Sequence, residues 1–235
     1  MIALAELVEF LDLFFEIEQF GDDKGGIFIN SDRPIQRIGF ALEPWPGFDR
    51  WVRDQNLDAV FLHRPWQLQA IPAEIGVIFY HLAFDERLTM GFNLRLAPAL
   101  GMRHPQAFGE KSGRPLGMIA AISPQPIERY RHQIRGIFGG WEQIISGQFS
   151  TVDRVAVVGA LNAQLVEAAA AQDAQIYITG QLRASATAAI ESTGIEVIAI
   201  GHRRCELWGL RSLAGLVQER FAEISVMLPS PKQYN

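Results

Sequence analysis

The chain reads as an α/β protein built from duplicated βαβ-containing lobes with helix-covered mixed sheets. Three observations predict that class. Short apolar runs of strand length alternate with amphipathic stretches at helical spacing. The runs carry few polar interruptions, as strands covered on both faces do. Two stretches also share one pattern. Arg37-Ile38-Gly39-Phe40-Ala41-Leu42 followed by Val60-Phe61-Leu62-His63 resembles Arg154-Val155-Ala156-Val157-Val158-Gly159 followed by Ile176-Tyr177-Ile178-Thr179. Two such units predict two related lobes, residues 1–110 and 111–235, packed as one unit with no inserted middle domain.

In order, Ile2 to Phe20 predicts a helix whose apolar face is Leu4, Leu7, Val8, Leu11, Phe14 and Phe15. The Gly- and Asp-rich stretch Gly21 to Gly26 breaks it. Strands are predicted at Gly26–Ile29, Ile35–Leu42, Asp58–Leu62 and Ile75–His81, with a short helix over Phe48–Asn56. Arg87 to Leu100 predicts a helix stopped by Gly101. Met102 to Gly113 is rich in Gly, Pro and charge and predicts a loop. Pro115–Ile122 predicts a strand and Pro126–Phe138 a helix, with Pro126 and Glu128 suited to its first turn. Strands then follow at Trp141–Gly147, Val152–Gly159, Ala174–Thr179 and Ile195–Ile200, with helices over Asn162–Ala171 and Ser185–Thr193. The chain closes on Gly201-His202-Arg203-Arg204-Cys205-Glu206 and a helix bearing Leu210, Leu213, Ala214, Val217 and Phe221.

Composition narrows the function. Of 235 residues, 49% are hydrophobic, enough for a sizeable core and too many for disorder. The formal net charge of −5 and the lack of a basic block argue against a dedicated nucleic-acid surface. The single cysteine excludes an internal disulfide framework and fits a reducing compartment. The acidic residues within Met1–Phe20 exclude a signal peptide, and no acid-free run reaches the roughly 20 residues that span a bilayer. A cytoplasmic protein is expected.

In α/β sheets, ligands bind at the carboxyl ends of strands. Here those ends carry His63, His81 with Asp85, and His202 with Glu206. Imidazoles and carboxylates together suit a first-row divalent metal: Zn, Fe, Mn or Co, one or two ions per chain. Each residue also has an ordinary structural role. His202 and Glu206 share one face of a first helical turn and can simply hydrogen-bond. Asp85 can cap the following helix. His63 can close a strand end, His81 can pack as a neutral imidazole, and Cys205 can be a small buried hydrophobe rather than a ligand or nucleophile. No phosphate-binding Gly-rich loop with Lys-Ser/Thr and no nucleophile elbow is present.

These segments, in order, resemble the Nif-three-like family, whose members are also called GTP cyclohydrolase 1 type 2 homologues. The resemblance runs through His63-Arg64-Pro65, His81-Leu82-Ala83-Phe84-Asp85, Gly113-Arg114-Pro115-Leu116-Gly117, Arg154-Val155-Ala156-Val157, Thr179-Gly180-Gln181 and Gly201-His202-Arg203-Arg204-Cys205-Glu206. It implies a duplicated α/β fold, a hexameric ring and a dinuclear metal centre. His63, Asp85, His202 and Glu206 would be ligands, with His81 lining the site. Two residues depart from the family pattern: Arg64 stands for a second His, and Gln181 for a Glu. Guanidinium has no lone pair to ligate with. The expectation is therefore one tightly bound ion or a weak second. Arg64 either binds an anionic substrate group or makes a salt bridge, and Gln181 is expected beside it in substrate binding.

The resemblance makes two functions the leading expectations. One is a hydrolase in which metal-activated water attacks a nucleotide or other small anionic compound, with Glu206 as ligand and His81 as proton shuttle. The other is a non-catalytic metal-binding assembly or partner-binding protein with a degenerate centre.

Overall fold

A computed structural model describes residues 1–230. The chain folds as two compact units, Met1–Phe84 with the C-terminal segment from Gly209, and Asp85–Trp208. This differs from the contiguous lobes 1–110 and 111–235. The chain leaves the first unit inside a helix, Leu82–Leu88, and returns inside another, His202–Arg220.

The first unit opens with α1 (Leu4–Phe15), whose buried Leu4, Leu7, Leu11 and Phe15 fall at helical spacing. Glu16, in the left-handed region at φ 52°, ends it, and a single 3₁₀ turn completes the predicted span to Phe20. Strands β1 (Gly26–Ile29), β2 (Arg37–Ala41), β3 (Ala59–Leu62) and β4 (Gly76–Phe79) follow, with α2 (Phe48–Asp54) between β2 and β3. The sheet order is β1-β4-β3-β2-β11. Only β1 is antiparallel to its neighbour. Every residue of β3 is buried, and Phe48, Trp51 and Val52 of α2 pack on Val60, Leu62 and Val77. The last strand, β11 (Ser225–Met227), pairs parallel with β2; its three residues carry no local signal strong enough to predict a strand.

The second unit begins in α3 (Leu82–Leu88) and passes through α4 (Leu96–Ala99). The sequence predicts one helix over Arg87–Leu100; the structure breaks it. The Thr89 hydroxyl bonds back to the Asp85 carbonyl at 2.6 Å. A Cβ at Gly91 would stand 1.9 Å from the Glu86 carbonyl oxygen, an approach open only to glycine. The expected loop Met102–Gly113 is also corrected. Arg103–Lys111 forms β5, an antiparallel hairpin with β6 (Arg114–Pro126). An edge strand exposed along most of its length shows no apolar alternation, so its composition reads as loop. Its turn is Ser112-Gly113, both at positive φ, the backbone that two-residue hairpins require.

The rest runs α5 (Ile127–Phe138), β7 (Gln143–Ile145), β8 (Thr151–Val158), α6 (Ala163–Ala170), β9 (Ile176–Thr179), α7 (Thr187–Thr193), β10 (Glu196–Ala199) and α8 (His202–Arg220). Sheet order is β5-β6-β8-β9-β10-β7. Alternate residues divide the core between its faces. Met118, Val155, Val157, Ile176 and Ile178 pack with Tyr130, Ile134 and Phe138 of α5. Ile119, Ala156, Val158 and Tyr177 pack with Val166 and Ala169 of α6 and Ile190 of α7.

The duplication is real and wider than the sequence suggests. The order α1-β1-β2-α2-β3-β4-α3 recurs as α5-β7-β8-α6-β9-α7-β10-α8, α7 standing where the first repeat has only the 3₁₀ turn Pro65–Gln67, and the strands β1-β4-β3-β2 have the same neighbours as β7-β10-β9-β8. Fine detail repeats as well. Asn56 and Asp173 both take left-handed conformations before the second parallel strand. Asp58 then accepts bonds from the amides of Gln36 and Arg37, each at 2.9 Å. Gln175 does the same for Asp153 and Arg154, each at 3.0 Å.

Candidate metal centre

In the second unit, Asp85, His202 and Glu206 each offer a ligand atom, and these atoms lie within 4.8 Å of one another. Local folding explains the grouping. Beyond β10, Gly201 turns the chain at φ 100°, and α8 begins at once. His202 and Glu206 therefore stand one turn apart, with His Nε2 3.0 Å from Glu Oε1. Glu206 is 1% exposed, while His202 is 67% exposed. A carboxylate that deeply buried needs cationic or hydrogen-bonding company, and the imidazole provides part of it. Asp85 comes from α3, inside the helix rather than at its cap, because the helix starts four residues earlier, at Leu82, than a capping role would require. That helix is tied to β6 by Arg114, whose Nε and Nη2 reach Glu86 at 2.7 and 3.0 Å.

In the first unit, His63 and His81 stack with ring centres 5.0 Å apart. His63 is fully buried, and its Nδ1 lies 3.0 Å from the Tyr80 carbonyl oxygen. A donated Nδ1–H selects the tautomer with its lone pair on Nε2, the form that metals bind. His81 Nδ1 lies 3.2 Å from Asp23 Oδ2. Arg64 points its Nε at Glu43 Oε2, 3.3 Å away, the salt-bridge geometry expected as one of its two roles. Gln181 is exposed, in the turn after β9. Arg64 and Gln181 occupy matching places in the two repeats, each two residues beyond the second parallel strand. Asp85, His202 and Glu206 come together in one unit, and His63 and His81 pair in the other; α3 begins directly after His81 and carries Asp85.

Cys205 lies beside these residues but is 2% exposed and belongs to the core. Burial, then the charges of Glu206, Glu142 and Asp85, push its thiol pKa well up. It is held as a neutral thiol, neither nucleophile nor thiolate donor.

Sequence reasoning missed three neighbours. Glu142 rests where a Gly201 side chain would be: a Cβ there would meet its Oε1 at 2.4 Å. Asp23 reaches His81 from the Gly- and Asp-rich break. Thr179 ends β9 fully buried, with no hydrogen bond to its hydroxyl among the described residues. Asp23 had a faint signal as a carboxylate between turn glycines, and Thr179 stood in the Thr179-Gly180-Gln181 segment without being singled out; Glu142 had no signal.

Two mixed α/β sheets built on one repeated βαβ plan, with a carboxylate–imidazole–carboxylate set at strand ends, define a candidate metal-binding α/β protein. The profile of the Duf34/NIF3 (NGG1p interacting factor 3) family matches residues 51–232, and the chain belongs to that family. A relative from Pyrococcus abyssi named GTP cyclohydrolase 1 type 2 homolog is 26% identical, with 96% of this chain and 97% of its own length covered. The fold matches a solved structure titled protein ybgI, of unknown function, at a TM-score of 0.76 and 20% identity over 98% of this chain and all of that one. It also matches the hypothetical protein SA1388 of Staphylococcus aureus, at 0.76 and 16% identity over 97% and 96% of the two chains.

Proposed function

We propose that this protein is a metal-dependent hydrolase acting on a nucleotide or other small anionic compound. The observation that carries the reading is the grouping of Asp85, His202 and Glu206 within 4.8 Å. Two hard oxygen donors and one imidazole fit Zn, Fe, Mn or Co, and no thiolate competes. A divalent ion held there supplies Lewis acidity and lowers the pKa of water. The chain's own groups do the rest. Glu206 is fixed by burial and by His202, so it presents one geometry. His63, its Nδ1 facing the Tyr80 carbonyl oxygen, keeps on Nε2 a lone pair of the kind metals bind. His81, half-exposed and oriented by Asp23, can take up and release a proton at Nε2. Arg64 carries the charge to meet an anionic substrate group, and Gln181 offers amide donors to one.

One observation favours a second reading, a non-catalytic metal-binding protein: Arg64, at the place of a family ligand, faces Glu43 instead of standing ready for an anion. A single experiment separates the two. Purified protein is loaded in turn with Mn, Fe, Zn and Co, its metal content measured, and turnover screened on nucleotides and phosphoesters, then repeated with His202→Ala. Turnover lost with His202 supports the enzyme. Metal uptake without turnover supports the second reading, and no uptake by the wild type refutes both.

The family resemblance supports a hexameric ring, read out as about six protomer masses in light scattering; a monomer at assay concentration would refute it. Among the described residues no helix is long and apolar enough to cross a membrane.

A further inference from the structure

The first unit has an aromatic cavity of about 740 Å³ between the segments that follow β2 and β3. Trp45 and Phe48 line one side, Trp66 the other, with Asp49, Gln67 and Gln69 at hand. The size falls within the usual range for small-molecule pockets, and the place, beyond the carboxyl ends of parallel strands, is where α/β sheets take ligands.

Trp66 is the informative residue. It is 58% exposed, although it belongs to the largest apolar side-chain type. Its contacts are edge-on, to Phe79 at 5.6 Å and to His81 at 6.0 Å between ring centres. The opposite wall is rigid. Trp45 is clamped by Phe48 at 4.9 Å and Trp51 at 5.4 Å, and Phe48 and Trp51 are buried. The 3₁₀ turn Pro65–Gln67 fixes Trp66 two residues after Arg64 and three after His63. Asp49 is already paired with Arg53, so the polar groups the rim offers a guest are the exposed Gln67 and Gln69 amides, which a purely apolar guest would not use. A flat ring with N–H and C=O edges uses both kinds of wall, stacking on indole and pairing at its rim.

We propose that this cavity binds the planar heteroaromatic ring of the substrate, of nucleobase type, stacked on Trp66 with the substituent carried by the ring directed toward His81. The proposal rests on the reading of His63 and His81 as part of the reactive centre. It narrows the class named there to anions that carry a heteroaromatic ring, and it adds the place where that ring binds.

The test measures equilibrium dialysis of adenosine, uridine 5′-monophosphate, adenosine 5′-monophosphate and ribose 5-phosphate against the full chain, metal-loaded and metal-free. Variants are Trp66→Ala and Trp66→Phe, with metal content assayed in each. The expected result is saturable binding of the three ring-bearing probes and much weaker binding of ribose 5-phosphate. Trp66→Ala should weaken the ring-bearing probes about 10-fold or more, Trp66→Phe should retain most of their affinity, and metal content should stay unchanged. Equal binding of ribose 5-phosphate, unchanged affinity in Trp66→Ala, or no binding of any ring at 5 mM would each overturn it. Because metal content is read separately, a protein that binds rings but no metal would refute the centre while leaving the pocket standing.

Discussion

Arg131 and Glu196 form an ion pair whose removal has a calculable effect. Glu196 opens β10, the strand that leads to Gly201 and His202, and is 1% exposed. Arg131, on α5, is 19% exposed and meets both carboxylate oxygens, Nε to Oε1 at 2.9 Å and Nη2 to Oε2. Glu128 also approaches Arg131, but it is 73% exposed and its share is small. The Glu196 bond, above all, raises the Arg131 pKa, so the guanidinium is charged at every working pH. Arg131→Met keeps most of the side-chain volume and strands the carboxylate. Breaking a buried pair from one side costs about 3–5 kcal/mol. Partial exposure of the arginine puts this case near about 3 kcal/mol. With a urea dependence of roughly 2–3 kcal/mol per molar, the midpoint should fall by about 1 M. Adding Glu196→Gln should recover more than half of that, because a neutral amide is far cheaper to bury than a lone charge. Urea titrations followed by far-UV circular dichroism would read both. A drop under about 0.3 M for Arg131→Met, or no recovery in the double variant, would show that the pair does not support the second sheet.

Other outcomes follow from the same geometry. Asp58→Ala removes a 7%-exposed carboxylate that holds two amides and Arg33, and should cost about 2–3 kcal/mol in a thermal or urea melt. Gln175→Ala, its neutral counterpart, should cost nearer 1 kcal/mol; equal losses would argue against the charge-assisted difference. Cys205 should resist iodoacetamide in the native protein from pH 7 to 9 and react only in denaturant; rapid native labelling would contradict its burial. Because its thiol pKa is raised on folding, its contribution to stability is complete below about pH 8.5 and declines above it, and Cys205→Ala should flatten that alkaline decline. Gly201→Ala places a side chain at φ 100° against Glu142 and should reduce metal uptake measured by elemental analysis; full uptake would show that the turn tolerates the change.

Much of this was legible before any coordinates. Apolar runs such as Ala59–Leu62 and Val197-Ile198-Ala199 are buried throughout, and a run with no polar face leaves few alternatives to a covered strand. The Gly201-His202 turn into a helix was readable because glycine marks the turn and the i, i+4 spacing marks the shared face. The duplication showed in two short matching segments because both repeats need the same buried strands.

What the amino-acid order determined alone was one-body information: which residues avoid water, where the backbone must turn, and which strand ends carry metal-type ligands. Tertiary structure alone decided the pairings between distant positions. It placed Arg103–Lys111 on a sheet edge, brought Ser225–Met227 back to β2, set Arg64 against Glu43 and laid Glu142 over Gly201. It also stacked His63 on His81 and gathered Asp85, His202 and Glu206. The reason is physical. Burial leaves a periodic trace along the chain, whereas an edge strand or an ion pair depends on a partner many residues away and leaves no local trace.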